Sequence, residues 1–177
     1  MKLALRTRRQ VDARTTALIR KAASVCLGYP DDAFPARLKL VRDAVDAEPF
    51  RAFAAYAASQ DPYDLAAEYV ETFDQRNRAS LYLTWWTAGD TRNRGDEIIR
   101  FLRAYREAGF EYGGEELPDH LPVVLDFAAC GGERAAEIGT ALLAEHRGAL
   151  EKLRDHLARR SPDAYPCPTA LNFHSPW

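Results

Sequence analysis

The hexapeptide LYLTWW, residues 81–86, decides the fold. Its tyrosine, threonine and tryptophans favour extended backbone, and taken alone the run reads as a strand. A strand needs partners, because isolated extended segments are not stable in water. No partner run occurs elsewhere in the 177 residues. The segment is therefore expected to be a short helix or an irregular apolar element packed on helices. The chain as a whole is expected to be all-α, a single-domain bundle of about six to eight helices.

Helical periodicity flanks this segment on both sides. From about Thr15 to Leu27 the apolar positions fall at Leu18, Ala22 and Val25/Cys26. Gly28-Tyr29-Pro30 stops that run, since glycine tolerates the cap conformation and proline cannot continue a helix. Phe34, Leu38, Val41 and Val45 signal a second helix, with Asp31 or Asp32 as its cap. A third follows Glu48-Pro49, with Phe50, Phe53 and Ala57 on one face. Asp61 as N-cap and Pro62 as first helical residue open a fourth, on which Leu65, Tyr69 and Phe73 form a stripe. Downstream, Ile98, Leu102 and Tyr105 are expected to face inward on a helix over Asp90–Ala108, terminated by Gly109. A loop, FEYGGEELP, leads to Asp119, placed to cap a helix that has Pro122 in its first turn. Leu121, Val124, Leu125 and Ala128 form that helix's buried face, and Gly131-Gly132 closes it. One last helix carries Ile138, Leu142, Ala149, Leu153 and Leu157 as far as Ser161-Pro162. Residues 1–160 thus read as the helical domain, and residues 161–177, with four prolines, as an extended tail.

Composition narrows the function. With 47% hydrophobic and 28% charged residues the chain is ordinary for a globular domain, and a net charge of −2 gives no global drive toward nucleic acid or anionic membrane. No apolar run approaches the roughly 20 residues of a membrane helix. Leu3, Ala4 and Leu5 before Arg6 are too short for a signal-peptide core, so secretion is not expected. Cys26, Cys130 and Cys167 form no CxxC pair. Cys26 and Cys130 lie among apolar residues and read as reduced core thiols in a cytoplasmic setting.

Catalytic and metal patterns are missing from the sequence. His120, His146, His156 and His174 fit no metal spacing; His146 and His156, ten apart on one expected helix, read as solvated. Glu115, Glu116, Asp119 and Asp126 offer carboxylates, but nothing singles out an acid–base pair. Two local fields stand out instead. Between Asp74 and Arg94, four arginines face two aspartates among Tyr82, Trp85 and Trp86; solvated arginines over core aromatics explain this more simply than nucleic acid does. Between Glu107 and Asp126 there are six carboxylates and neither lysine nor arginine. Within that stretch LPDHLP sets Asp119 and His120 between two prolines, which stiffen the backbone on either side. Such a segment reads either as a plain helix cap or as a preorganised receptor for a cationic, amphipathic peptide.

Four motifs together resemble one family: YVETFD (Tyr69–Asp74), SLYLTWW (Ser80–Trp86), GDTRNRG (Gly89–Gly95) and AGFEYGGEELPDHLPVVLDFAA (Ala108–Ala129). In this order and spacing they are similar to the nitrate reductase delta-subunit family, the NarJ-type chaperones of molybdenum-cofactor enzyme assembly. The resemblance runs from LGYP at Leu27–Pro30 through about Leu157. It implies a TorD-like, cytoplasmic, non-enzymatic protein with no cofactor of its own. It further implies binding of the N-terminal segment of the nitrate reductase catalytic (alpha) subunit in its apo form. That segment is held competent for iron–sulfur and molybdenum cofactor insertion before membrane docking. Carried over residue by residue, the resemblance implies a peptide-binding surface of two strips: Tyr69, Phe73, Asp74, Ser80, Leu81 and Tyr82, then Pro118, Asp119, His120 and Leu121. Apolar burial at Phe73 and Tyr82 is expected to supply most of the affinity, and Asp119 orientation and selectivity. Trp85-Trp86 stands where tyrosines are common in the family, and Asp126 where glutamate is more usual. The alternatives are a related chaperone for another molybdoenzyme, with direct cofactor or nucleotide affinity, and a small helical enzyme.

Overall fold

The computed structural model describes residues 13–75 and 79–160. The expectations for the first twelve residues and for the tail at 161–177 lie outside them. Among the described residues the chain is all-α, with α1 Ala13–Cys26, α2 Phe34–Ala44, α3 Glu48–Ser59, α4 Pro62–Tyr69, α5 Leu83–Ala88, α6 Asn93–Glu107, α7 Leu121–Cys130, α8 Gly132–Glu145 and α9 Arg147–Arg160. A π-helical turn, Val70–Asp74, continues α4.

Local chemistry accounts for several boundaries. Asp61 Oδ1 accepts from the Tyr63 amide at 2.8 Å, ahead of Pro62 at the first helical position. Before α2, Asp31 accepts from the Ala33 amide at 2.9 Å, but the N-cap position is Ala33, with no side-chain cap, so neither Asp31 nor Asp32 caps that helix as expected. Gly109 and Gly132 adopt φ of 86° and 83°, the left-handed conformation that ends α6 and separates α7 from α8.

The core is built where α1 packs on α7 and α7 on α8. Phe50, Phe53, Leu27, Leu121, Leu125 and Leu150 are among its fully buried side chains. Gly139 on α8 lets that helix approach α7 closely: a Cβ there would stand 2.4 Å from the Ala128 Cβ. Arg20, 2% exposed, crosses from α1 to donate to Thr140 Oγ1 at 2.7 Å and, at 3.5 Å, to the Ala128 carbonyl in the last turn of α7. That end of a helix carries partial negative charge and attracts a cation. Burial lowers the Arg20 pKa from its ordinary value.

Several expectations need correction. The last helix is two, broken at His146, where backbone φ and ψ of −95° and 19° end α8. The His146 ring Nδ1 lies 2.9 Å from the Leu142 carbonyl, and the ring is buried against Phe101 rather than solvated. Gly148 just beyond adds little helical propensity. His156, on α9, is half-buried. Cys130 is exposed rather than a core thiol, because it falls on the last residue of α7, outside the stripe of Leu121, Val124, Leu125 and Ala128. Its pKa is raised, by partial desolvation and then by the neighbouring Asp126. On α6 the buried residues are Phe101 and Tyr105, whereas Ile98 and Leu102 are half-buried.

Candidate functional site

LYLTWW resolves into two states. Tyr82 pairs with His120 in a single antiparallel bridge, and the helix α5 begins at the next residue. The partner that sequence could not supply is a single residue 38 positions away. Leu83 N–H donates to the Asp119 carbonyl at 3.0 Å, and Leu121 N–H to the Leu81 carbonyl at 2.8 Å. These two bonds hold the SLYLT and LPDHLP segments side by side.

Asp119 makes the junction rigid. It does not cap its own helix: the N-cap position of α7 is His120, with no side-chain cap. The Asp119 side chain, 0% exposed, instead turns to α5, where Oδ2 accepts from the Thr84 amide at 3.1 Å and from Thr84 Oγ1 at 2.6 Å. A carboxylate at a helix start is favoured by the free amides and by the helix dipole. The physical reason for the correction is position: the backbone bridge at residue 120 directs residue 119 toward the start of α5. Its other oxygen, Oδ1, has no partner among the described residues. Around it the Pro118 carbonyl accepts from Tyr105 Oη at 2.5 Å, and the Glu116 carbonyl from Tyr112 Oη at 2.6 Å. LPDHLP is therefore pinned by Tyr105 of α6, and the residue just before it by Tyr112 of the following loop.

The YVETFD segment lies next to this junction. Tyr69 Oη donates to the Leu27 carbonyl at 3.2 Å, closing the end of α1. Tyr69 and Phe73 rings meet at 4.8 Å, and Tyr29 packs edge-on against Tyr69. The π-helical turn, in which the Gln75 amide reaches back to Val70, leaves Tyr69, Thr72 and Phe73 buried with Asp74 exposed. Turns of this kind recur at functional positions. Asp74, Glu116, Tyr82 and His120 share one electrostatic environment. Partial burial, then the Glu116 charge, raises the Asp74 pKa. Burial also lowers the His120 pKa, opposed by Glu116, Asp119 and Asp74. The Tyr82 phenol donates to Glu116 Oε2 at 2.5 Å and is pushed well above its ordinary value by burial and that carboxylate.

Of the ten residues assigned to the site, the structure draws both strips to one place, but mostly inside. Tyr69, Phe73, Ser80, Leu81, Pro118, Asp119, His120 and Leu121 are buried, Tyr82 is half-buried with its ring 5.1 Å from that of His120, and Asp74 is exposed. Phe73, 4% exposed, offers almost no apolar area as it stands. A separate cleft of about 850 Å³ opens between α2, α3 and α4, lined by Tyr29, Phe34, Leu38, Tyr63 and Leu65 among others, and by none of the ten. Three neighbours of the junction were not assigned from sequence: Thr84, Glu116 and Arg94. Glu116 was visible only as one of six carboxylates. The Thr84–Asp119 contact spans 35 residues and carries no local signature. No group of histidine, cysteine and carboxylate side chains among the described residues has metal-holding geometry.

A family model described as "Nitrate reductase delta subunit" matches residues 42–161. Over 122 residues the chain is 35% identical to the "Probable nitrate reductase molybdenum cofactor assembly chaperone NarJ" of Bacillus subtilis (strain 168), covering 65% of this chain and 66% of that one. It is 32% identical over 112 residues to the "Nitrate reductase molybdenum cofactor assembly chaperone NarJ" of Escherichia coli (strain K12), covering 58% of this chain and 48% of the relative. A 69-residue stretch, 39% of this chain, is 58% identical to 11% of the "Nitrate reductase-like protein NarX" of Mycobacterium tuberculosis (strain ATCC 25618 / H37Rv). The matched part is thus about half of the Escherichia coli relative and a small part of the mycobacterial one.

Proposed function

The chain belongs to the nitrate reductase delta subunit family, and from that premise we propose that it is a system-specific chaperone in the assembly of a nitrate reductase. It binds the N-terminal segment of the catalytic (alpha) subunit as apoprotein. It supports insertion of molybdenum cofactor and iron–sulfur clusters into that client before membrane docking, acts in the cytoplasm, and catalyses nothing itself.

One observation carries this reading. Two exposed carboxylates, Asp74 and Glu116, stand over Tyr82 and His120 on a buried frame that fixes their positions. A rigid acidic rim around an aromatic ring complements a cationic, amphipathic segment. In this proposal Asp74 and Tyr82 meet the client, with the buried His120 ring packed against Tyr82. Tyr69, Phe73, Ser80, Leu81, Pro118, Asp119 and Leu121 hold them from beneath. No helix among the described residues is long and apolar enough to cross a membrane, so the chaperone would reach its client without a spanning segment in this region.

The test is calorimetric titration of the full chain with a synthetic peptide of the client's N-terminus. Binding in the tens of micromolar or tighter, about −6 to −7 kcal/mol or better, is expected. The expected contrast is loss of that heat when the peptide's basic residues are replaced by glutamine. A peptide that gives only heat of dilution refutes the proposal.

A further inference from the structure

Arg94, in the GDTRNRG motif, is in an electrostatically odd place. It sits in the first turn of α6, the end of a helix where partial positive charge makes a cation unwelcome. The helix therefore does not recruit it, and its surroundings do. Its guanidinium carbon lies 5.7 Å from the centre of the Tyr82 ring and 5.8 Å from that of the Trp85 ring. Its Nε donates to Thr84 Oγ1 at 3.1 Å. Both residues are half-buried.

Thr84 gives this position its polarity. Its hydroxyl proton is directed to Asp119 Oδ2 at 2.6 Å, so its oxygen turns an acceptor lone pair toward Arg94. The buried charge of Asp119 is in this way passed through one hydroxyl to a guanidinium. A flat guanidinium stacks on rings while donating from its edge; an ammonium has no flat face to stack.

We propose that Tyr82, Trp85 and the Thr84 oxygen form a subsite for one arginine side chain of a bound peptide, and that Arg94 occupies it in the free chain. The inference rests on the peptide-binding reading and deepens it in two ways. Recognition favours arginine over lysine at this position, and the incoming arginine must displace Arg94. The exposed Asp74 and Glu116, near Tyr82, supply the countercharge on the approach. Arg94 swings into solvent as its place is taken.

The experiment uses the full chain and its Arg94→Gln variant, titrated with N-acetyl-arginine methylamide and with the matching lysine derivative. The readout is the NMR signal of the Trp85 indole N–H. The Trp86 indole, which donates to the Ser80 carbonyl at 2.9 Å, serves as internal reference. Arg94→Gln is expected to bind the arginine derivative about tenfold more tightly than the parent (about 1.4 kcal/mol,) and to prefer it several-fold over lysine. Equal or weaker binding by Arg94→Gln overturns the proposal, as does equal response to the two derivatives. If far-UV circular dichroism shows that Arg94→Gln is unfolded, Arg94→Lys is read instead: tighter arginine binding than the parent supports displacement, and parent-like binding overturns it. A client peptide that fails to bind while the arginine derivative titrates refutes the chaperone reading alone. The reverse result refutes the subsite alone.

Discussion

Replacing Asp119 probes the internal cap most directly. In Asp119→Ala, two donors lose their only described acceptor in a site closed to water: the Thr84 amide and the Thr84 hydroxyl. An orphaned buried donor costs about 1–3 kcal/mol, and loss of a helix N-cap typically about 1 kcal/mol. The amide penalty and the cap loss are one and the same, so the expected total is about 2–4 kcal/mol. Asp119→Asn retains an acceptor oxygen for Thr84 and surrenders the charge, at about 1–2 kcal/mol. In a Thr84→Val background the hydroxyl is already gone, so Asp119→Ala should cost about 1–2 kcal/mol less than in the parent. Guanidinium unfolding at equilibrium, extrapolated to water, measures all four corners of this cycle. Should Asp119→Ala remain within about 0.5 kcal/mol of the parent, Asp119 is not a structural cap, and its carboxylate must be accounted for by an outward role.

Three other perturbations test separate parts of the fold. Arg20→Met removes a buried guanidinium whose Nε has no hydrogen-bond partner among the described residues; because an apolar group of similar volume often replaces a buried charge without loss, the thermal midpoint is expected to match or exceed the parent's. A clear drop would mean that the contact with the α7 terminus outweighs desolvation. Gly139→Ala forces a methyl against the Ala128 Cβ and, at 2.9 Å, its Cα, neither of which can swing away. A net loss of about 1–2 kcal/mol is expected despite alanine's better helix propensity. By contrast Gly95→Ala, which meets nothing within 4 Å, should be neutral or stabilising in the same melt. For His120 the folded pKa is depressed, chiefly by burial, so the unfolded chain binds more protons once the pH falls below about 6.5. Stability should therefore decline from pH 7 to 5.5 in the parent and decline less in His120→Asn, as read from guanidinium midpoints. The opposite effect of Asp74, whose raised pKa favours the folded state on acidification, belongs to the lower carboxylate range.

Helix starts and stops were legible because they are made of neighbours. Asp61 and Pro62 act on the turn that follows them, and Gly109 and Gly132 on the helices that they end. The stripe of Leu121, Val124, Leu125 and Ala128 was equally plain, since every member recurs at helical spacing. His146 escaped notice because apolar residues keep their period across it, while the kink depends on where its ring finds an acceptor. The two motif segments quoted from the sequence do lie side by side in the fold, but charge misled. An aspartate between prolines reads either as a cap of its own helix or as a surface ligand, and only the bridge to Tyr82 reveals that it points inward at Thr84. Arg94 likewise has no local mark separating it from Arg92, the other arginine of its motif.

The paired bonds Leu83–Asp119 and Leu81–Leu121 have a topological consequence. They button residues 83–119 at one collar, while further along the same stretch Phe101 packs on His146 and Tyr105 on Phe127. Force applied at either edge of the collar is therefore felt at the other, and a visitor at Tyr82 tugs on the first turn of α7 as surely as one at His120.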